Sequence, residues 1–216
     1  MKNREPHKIM HMKLLHNLAL SGDPSTSSER LKSPLVGQLR ARYKGVKKMR
    51  QPNRINFRMM SFIHETLYGL FRNPYKVLNA AGLEPGQEVL EVGCGPGFFT
   101  IPAAGIVGEA GSVLALDVNR LAVEHVRKKI ETECISNAKS MLANAAQTDL
   151  PDKSFDLTFL FGLARPIGDR GKMWSELHRL LKSEGTLSVE GRLRPPIELF
   201  QPVIRQGRIS RFRRVG

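Results

Sequence analysis

Four residues set out at fixed intervals carry the chemistry that is legible first. Glu91, Gly93, Gly95 and Gly97 form an acidic-x-Gly-x-Gly-x-Gly pattern, and Asp117 follows 20 residues after the last of these glycines. Around them the chain reads Val89-Leu90-Glu91-Val92-Gly93-Cys94-Gly95-Pro96-Gly97-Phe98-Phe99-Thr100. Glycines at alternate positions let the backbone turn sharply, and they let a ligand approach with no Cβ in the way. A helix that starts just after such a turn offers free N–H groups and the positive end of its dipole. This is the chemistry of a nucleotide-type ligand site. A carboxylate at the tip of the next strand, as Asp117 would be, can accept hydrogen bonds from both hydroxyls of a ribose. Two plainer readings stay open: a glycine-rich loop that only turns the chain, and an Asp117-Val118-Asn119 run that only caps the next helix.

Spacing separates two nucleotide ligands. A dinucleotide fingerprint is G-x-G-x-x-G. Counted from Gly93 its third glycine falls at position 98, which is Phe98. The pattern present is therefore a different one.

The elements that must position these residues follow from periodicity. Val89 to Val92 is a short apolar run, as expected for a parallel strand buried on both faces. Phe98 to Val107 reads as a helix with Pro102 inside it, where proline removes an N–H and should bend the helix. Ser112 to Asp117 reads as the second strand. Arg120 to Thr132 reads as a helix burying Leu121, Val123, Val126 and Ile130. Lys139 to Asn144 and Phe155 to Phe161 are the third and fourth strands. Lys172 to Lys182 is a helix with Met173, Trp174 and Leu177 inward, and a Ser183-Glu-Gly turn leads into a fifth strand at Thr186 to Glu190. Upstream, Met60, Ile63, Leu67 and Leu70 recur at helical spacing over Ile55 to Phe71, a helix that carries His64 and Tyr68. A second short helix is expected at 75–82.

The phrase Glu91-Val-Gly-Cys-Gly-Pro-Gly97 resembles the first motif of the class I S-adenosylmethionine-dependent methyltransferases, most closely their small-molecule and quinone-type branch. Leu150-Pro-Asp-Lys-Ser-Phe-Asp156 resembles the Leu-Pro-x-x-x-Phe-Asp run of the same family. The resemblance spans about residues 56–216. It implies an α/β, Rossmann-like methyltransferase fold, with a central, mostly parallel sheet, helices on both faces and a C-terminal antiparallel hairpin. The hairpin maps to Leu199–Gly207 and Ile209–Val215, with the helix that usually precedes it reduced or missing. The cofactor implied is S-adenosyl-L-methionine. The residues implied to hold it are Glu91, Gly93, Cys94, Gly95 and Gly97 in the first motif, then Asp117 and Val118 at the ribose. Asn144 and Ala145 are implied at the adenine, and Phe161 at the end of the fourth strand. Relatives often carry an aspartate where this chain has Asn144, whose carbonyl accepts a hydrogen bond without charge. Relatives also often carry histidines in the loop after the fourth strand. Here that loop has Arg165 and Pro166, and the arginine either holds an anionic group or is a solvated loop charge. The helix at 55–71 is implied to close over the cofactor.

Charge divides the chain. Of 216 residues, 34 are Lys or Arg and 20 are Asp or Glu. Residues 1–55 hold 13 basic against three acidic residues, a net of +10, and residues 192–216 hold seven arginines against Glu198, a net of +6. The stretch between them is close to neutral. Residues 1–55 therefore read as a basic, flexible N-terminal extension ahead of a methyltransferase domain at 56–216. Basic ends either bind RNA or an anionic surface or are solvated arms. With only Cys94 and Cys134, a disulfide framework or cysteine-rich metal site is not expected, and a reducing, cytoplasmic setting is. No apolar run reaches the ~18 residues that span a bilayer.

Methyl transfer from a sulfonium is an in-line displacement that asks the protein to position, exclude water and sometimes remove a proton. A missing catalytic triad is thus no argument against activity. The Pro-Cys and the Asn-Pro-Pro-aromatic or Asp-Pro-Pro-aromatic signatures of certain base methyltransferases are absent from the sequence. The leading expectation is methylation of a small-molecule or lipid-like acceptor. The alternatives are an RNA methyltransferase recruited by its basic termini, and a non-catalytic cofactor- or nucleic-acid-binding protein with the same fold. Catalytic residues, the acceptor atom and the oligomeric state are not specified by the sequence.

Overall fold

The computed structural model describes residues 72–162 and 169–216. The segment expected to be helical at 55–71, with His64 and Tyr68, lies outside the described residues. So do the basic extension and the loop residues Arg165 and Pro166.

Helix α1 (Pro74–Ala81) starts where its sequence says it should. Asn73 caps it, with Oδ1 accepting the N–H groups of Tyr75 at 2.9 Å and Lys76 at 3.3 Å. Pro74 occupies the first helical position, where a missing N–H is harmless, and Gly82 in the left-handed conformation (φ 88°) ends the helix. There follow β1 (Glu88–Val92), α2 (Thr100–Val107), β2 (Ser112–Asp117), α3 (Arg120–Thr132), β3 (Ala138–Leu142) and β4 (Phe155–Leu160). Then come α4 (Arg170–Leu180), β5 (Leu181–Glu190), β6 (Phe200–Gln206) and β7 (Ile209–Arg214).

The seven strands form one sheet in the order β3-β2-β1-β4-β5-β7-β6. The first five run parallel, and β7 is antiparallel to both β5 and β6. β1 lies mid-sheet and is buried on both faces. Val89 joins α1, α2 and α3 in one core with Ala103, Val126 and Phe159. Leu90 and Val92 join α4 in the other, with Trp174, Leu177 and Phe200. Helices thus cover both faces, and the α/β fold with a C-terminal hairpin stands as expected. No helix bridges Glu190 to β6, because Pro195 and Pro196 lie in a short irregular crossing.

Among the boundaries that differ from the sequence reading, three matter for the sheet and the site. Helix α2 begins at Thr100, so Pro102 falls in its first turn, where the N–H has no intrahelical partner, and the reason for a bend disappears. β3 ends at Leu142, which leaves Asn144 beyond the strand in a bridge with Gln147. β5 starts five residues early. Phe155 faces Leu181 while Leu157 faces Thr186, so the expected turn at Ser183–Gly185 is a bulge within the strand. A Cβ on Gly185 would lie 2.9 Å from Lys182 O and 3.1 Å from Leu181 Cβ, too close for any other residue without a shift.

The Leu-Pro-x-x-x-Phe-Asp run is explained by packing. Phe155 is buried in the α4 core. Asp156 accepts the Glu88 N–H at 2.9 Å and pairs with Lys182 Nζ at 2.8 Å, joining the starts of β1 and β5. Glu176 on α4 accepts both the N–H and the hydroxyl of Thr148, and Arg179 bonds Glu176, Asp152 and the Leu150 carbonyl. The Arg179 guanidinium, burial and Thr148 together leave the Glu176 carboxyl at about 2.

Candidate cofactor site

In an open parallel sheet, ligands bind beyond the carboxyl ends of the strands, where the strand order reverses direction. Here that point lies between β1 and β4: the chain winds outward through β2 and β3 on one side and through β4 and β5 on the other. The glycine-rich turn follows β1 and Gly162 follows β4, so the sequence pattern and the topology mark the same crevice.

The turn hangs from β2. Leu116 O accepts the N–H groups of Gly93 at 2.7 Å and Cys94 at 3.1 Å, and Asp117 Oδ2 accepts that of Gly95 at 3.0 Å. Gly93, Gly95 and Gly97 all have positive φ (78°, 51° and 82°), a conformation that residues with a Cβ rarely adopt. Their surroundings differ. A Cβ on Gly97 would lie 3.0 Å from Val126 Cγ2, so this glycine serves the packing of the turn on α3. A Cβ on Gly95 would meet nothing within 4 Å, so the turn is open on that side.

Asp117 does more than either sequence reading gave it. Its Oδ1 accepts the Asn119 N–H at 2.8 Å while Oδ2 holds Gly95. The helix is capped by Asn119 instead, whose Oδ1 accepts the Leu121 N–H at 3.1 Å. Burial pushes the Asp117 carboxyl up, against the amides that pull it down. Each carboxylate oxygen retains a lone pair for a ligand hydroxyl. Val118 lies half-buried between the two.

Glu91 is buried, 2% exposed, on the side of the sheet that faces α2. Its Oε2 accepts the Thr100 hydroxyl at 2.5 Å. Burial, opposed by that hydrogen bond and aided by nearby Asp117, pushes its carboxyl up to about 8. Burial and the same two carboxylates also push the Cys94 thiol up. The floor of the turn therefore collects groups that would ionise more readily beside a cation.

The remaining expected residues are less direct. Asn144 Oδ1 accepts the Ala146 N–H at 2.9 Å, closing its own turn. One carbonyl lone pair and the amide N–H groups remain for adenine. Ala145 is buried in the α4 core. The Phe161 ring is buried, stacked on Phe159 at 4.7 Å and edge-on to Phe99 at 5.3 Å, so it would meet a cofactor through its backbone.

Sequence reasoning missed Glu190. At the carboxyl end of β5 its Oε2 accepts the Gly162 N–H at 3.0 Å, and its Oε1 meets Arg72 at 2.8 Å and Arg208 at 3.3 Å. The Arg72 guanidinium also lies over the Phe99 ring, 5.3 Å from its centroid. Glu190 thus ties the end of β4, the entry to α1 and the hairpin turn together beside the crevice. Its partners lie up to 118 positions away, and no local spacing signals them.

This sheet order, with a glycine-rich turn hung on an acidic second-strand tip, defines a Rossmann-like domain of the methyltransferase type. Residues 89–185 match the family model described as a methyltransferase domain. Two curated relatives are each described as a ubiquinone/menaquinone biosynthesis C-methyltransferase UbiE. That of Marinomonas sp. (strain MWYL1) is 32% identical over 131 residues, 60% of this chain and 52% of its own. That of Escherichia coli O1:K1 / APEC is 33% identical over 142 residues, 65% of this chain and 54% of its own. The chain thus spans about half the length of the curated relatives it matches. A solved structure, described as a SAM dependent methyltransferase from Aquifex aeolicus, shares the fold. It has a TM-score of 0.60 and 24% identity, and the match covers 76% of this chain and all of that one. Over residues 89–185 the chain is similar to methyltransferase domains, and over a longer stretch to S-adenosylmethionine-dependent methyltransferases.

Proposed function

We propose that the protein transfers the methyl group of S-adenosyl-L-methionine to a ring carbon of a small, quinone-type acceptor. The observation that carries the reading is the Gly93–Gly97 turn, held open at Gly95 by the Asp117 carboxylate at the point where the strand order reverses. The residues present fit the donor. Asp117 offers a lone pair on each oxygen to the ribose hydroxyls. The turn would let the donor's amino-acid portion approach the backbone, and Asn144 and Ala145 would lie at the adenine. The donor supplies a methyl group on a cationic sulfonium and leaves as a neutral thioether. Burial has pushed the Glu91 and Asp117 carboxyls up, and a cation bound nearby would draw them toward their ionised forms. The acceptor class comes from the two relatives named for quinone biosynthesis.

The test incubates the full chain with methyl-labelled S-adenosylmethionine and a ring-unsubstituted isoprenoid quinol. Label extracted with the quinol, accompanied by an equal amount of S-adenosylhomocysteine, is the expected result. Donor binding with no labelled quinol would refute the acceptor class and leave the cofactor site standing.

A further inference from the structure

The C-terminal hairpin carries a surface that cofactor binding does not use. Strand β6 is the edge of the sheet, and Gln201 to Gln206 are exposed along its whole length. Val203 is 56% and Ile204 47% exposed, in a hairpin whose other exposed side chains, Pro202 apart, are glutamines and arginines. Pairing with another strand does not account for them. Pro202 lacks an N–H, and the register breaks between Pro202 and Ile204, both of which are devices that blunt a sheet edge. The charge around them is one-sided. Arg192, Arg194, Arg205 and Arg208 are exposed on the hairpin and on the crossing that leads to it, against the exposed Glu198 and against Glu190, which pairs with Arg208.

We infer that this hairpin docks on an anionic phospholipid surface. Aliphatic side chains flanked by cations are what an interfacial anchor needs. The apolar atoms enter the headgroup boundary, while each arginine near a negatively charged leaflet adds about 1 kcal/mol, close to a fivefold gain in partition. Single-stranded RNA is gripped by basic grooves with aromatic platforms, and the exposed large side chains here are aliphatic. The hairpin turn is also linked to the crevice side of the sheet. Gly191 N–H donates to Arg208 O at 2.8 Å, and Arg208 pairs with Glu190, so the hairpin turn is tied to the carboxyl end of β5. Docking there sets the mouth of the site beside the bilayer, from which a lipid-like acceptor would be drawn.

The experiment is vesicle co-sedimentation of the full chain, without turnover, so that it does not depend on the acceptor. Vesicles of phosphatidylcholine alone are compared with vesicles that also contain phosphatidylglycerol. The wild type is expected to partition to the anionic vesicles and, at raised salt, to leave them. A Val203→Ser/Ile204→Ser variant and an Arg205→Ser variant are each expected to lose partition, at least tenfold for the first and a few-fold for the second. Their melting temperature and S-adenosylhomocysteine affinity should be unchanged. Wild-type partition in both variants would overturn the proposal. So would equal binding to neutral vesicles, or loss of RNA-oligonucleotide binding in the variants with vesicle binding intact.

Discussion

Replacing Asp117 tests two roles at once, and the structure separates them. In Asp117→Ala the N–H groups of Gly95 and Asn119 lose the acceptors now at 3.0 Å and 2.8 Å. A hydrogen bond to a charged group contributes about 1.5–3 kcal/mol. Here the burial that raises the carboxyl's pKa offsets part of that. A net loss of about 1–3 kcal/mol in folding stability is expected, or roughly 3–10 °C in melting temperature for a chain this size. If the carboxylate also binds the ribose, affinity for S-adenosylmethionine should fall at least tenfold. The two roles are told apart by a double-mutant cycle. Calorimetry would compare wild type and Asp117→Asn, each with S-adenosylhomocysteine and with an analogue that lacks the ribose hydroxyls. Removing the hydroxyls should weaken binding to the wild type by about tenfold and binding to the variant by far less. Equal losses in both proteins would refute ribose recognition by Asp117, even if the variant melts lower.

Three further outcomes follow from the same geometry. Glu91 ionises near 4.5 in an unfolded chain and near 8 in the fold, so rising pH strips the proton from the unfolded state first and destabilises the protein across that window. Glu91→Gln, which keeps a partner for the Thr100 hydroxyl, should therefore gain on the wild type by about 2–4 kcal/mol between pH 5 and pH 8. A melting difference that is flat with pH would contradict the buried, protonated carboxyl. Gly97→Ala should cost about 1–3 kcal/mol of stability, from the positive φ and the approach to Val126. Gly95→Ala should cost less stability and more cofactor affinity; the reverse order in paired melting and binding measurements would show the open side misassigned. Thr158 Oγ1 is buried without a hydrogen-bond partner among the described residues. Thr158→Val should thus raise stability by about 1 kcal/mol in urea unfolding, and a loss would reveal a partner.

The fold was legible where a residue type has a single physical use. Alternate glycines pointed to a sharp turn, and all three have positive φ. Asp117 at a strand tip pointed to a carboxylate beside that turn. The hairpin was readable because Gly207 and the strands around it form a local unit. Boundaries were less legible where tertiary contacts override periodicity. Lys182 reaches Asp156, and β5 therefore begins before the turn that interrupts it. Asn144 looked like a strand end because the apolar pattern runs on, yet its side chain closes a turn with Ala146. The part of the site built across the chain was not legible at all. Glu190 meets Arg72, Gly162 and Arg208 only because β4, β5 and the hairpin are neighbours in the sheet. The Glu91 hydroxyl partner, Thr100, likewise depends on how α2 returns over β1.

The measurement that bears most directly on the whole account is a structure of the full chain bound to S-adenosylhomocysteine. The ligand is expected in the crevice between the carboxyl ends of β1 and β4. Both ribose hydroxyls should lie about 2.6–3.2 Å from the Asp117 carboxylate, with the amino-acid portion over Gly93–Gly97. A ligand bound elsewhere, or one in that crevice whose ribose makes no contact with Asp117, would contradict it.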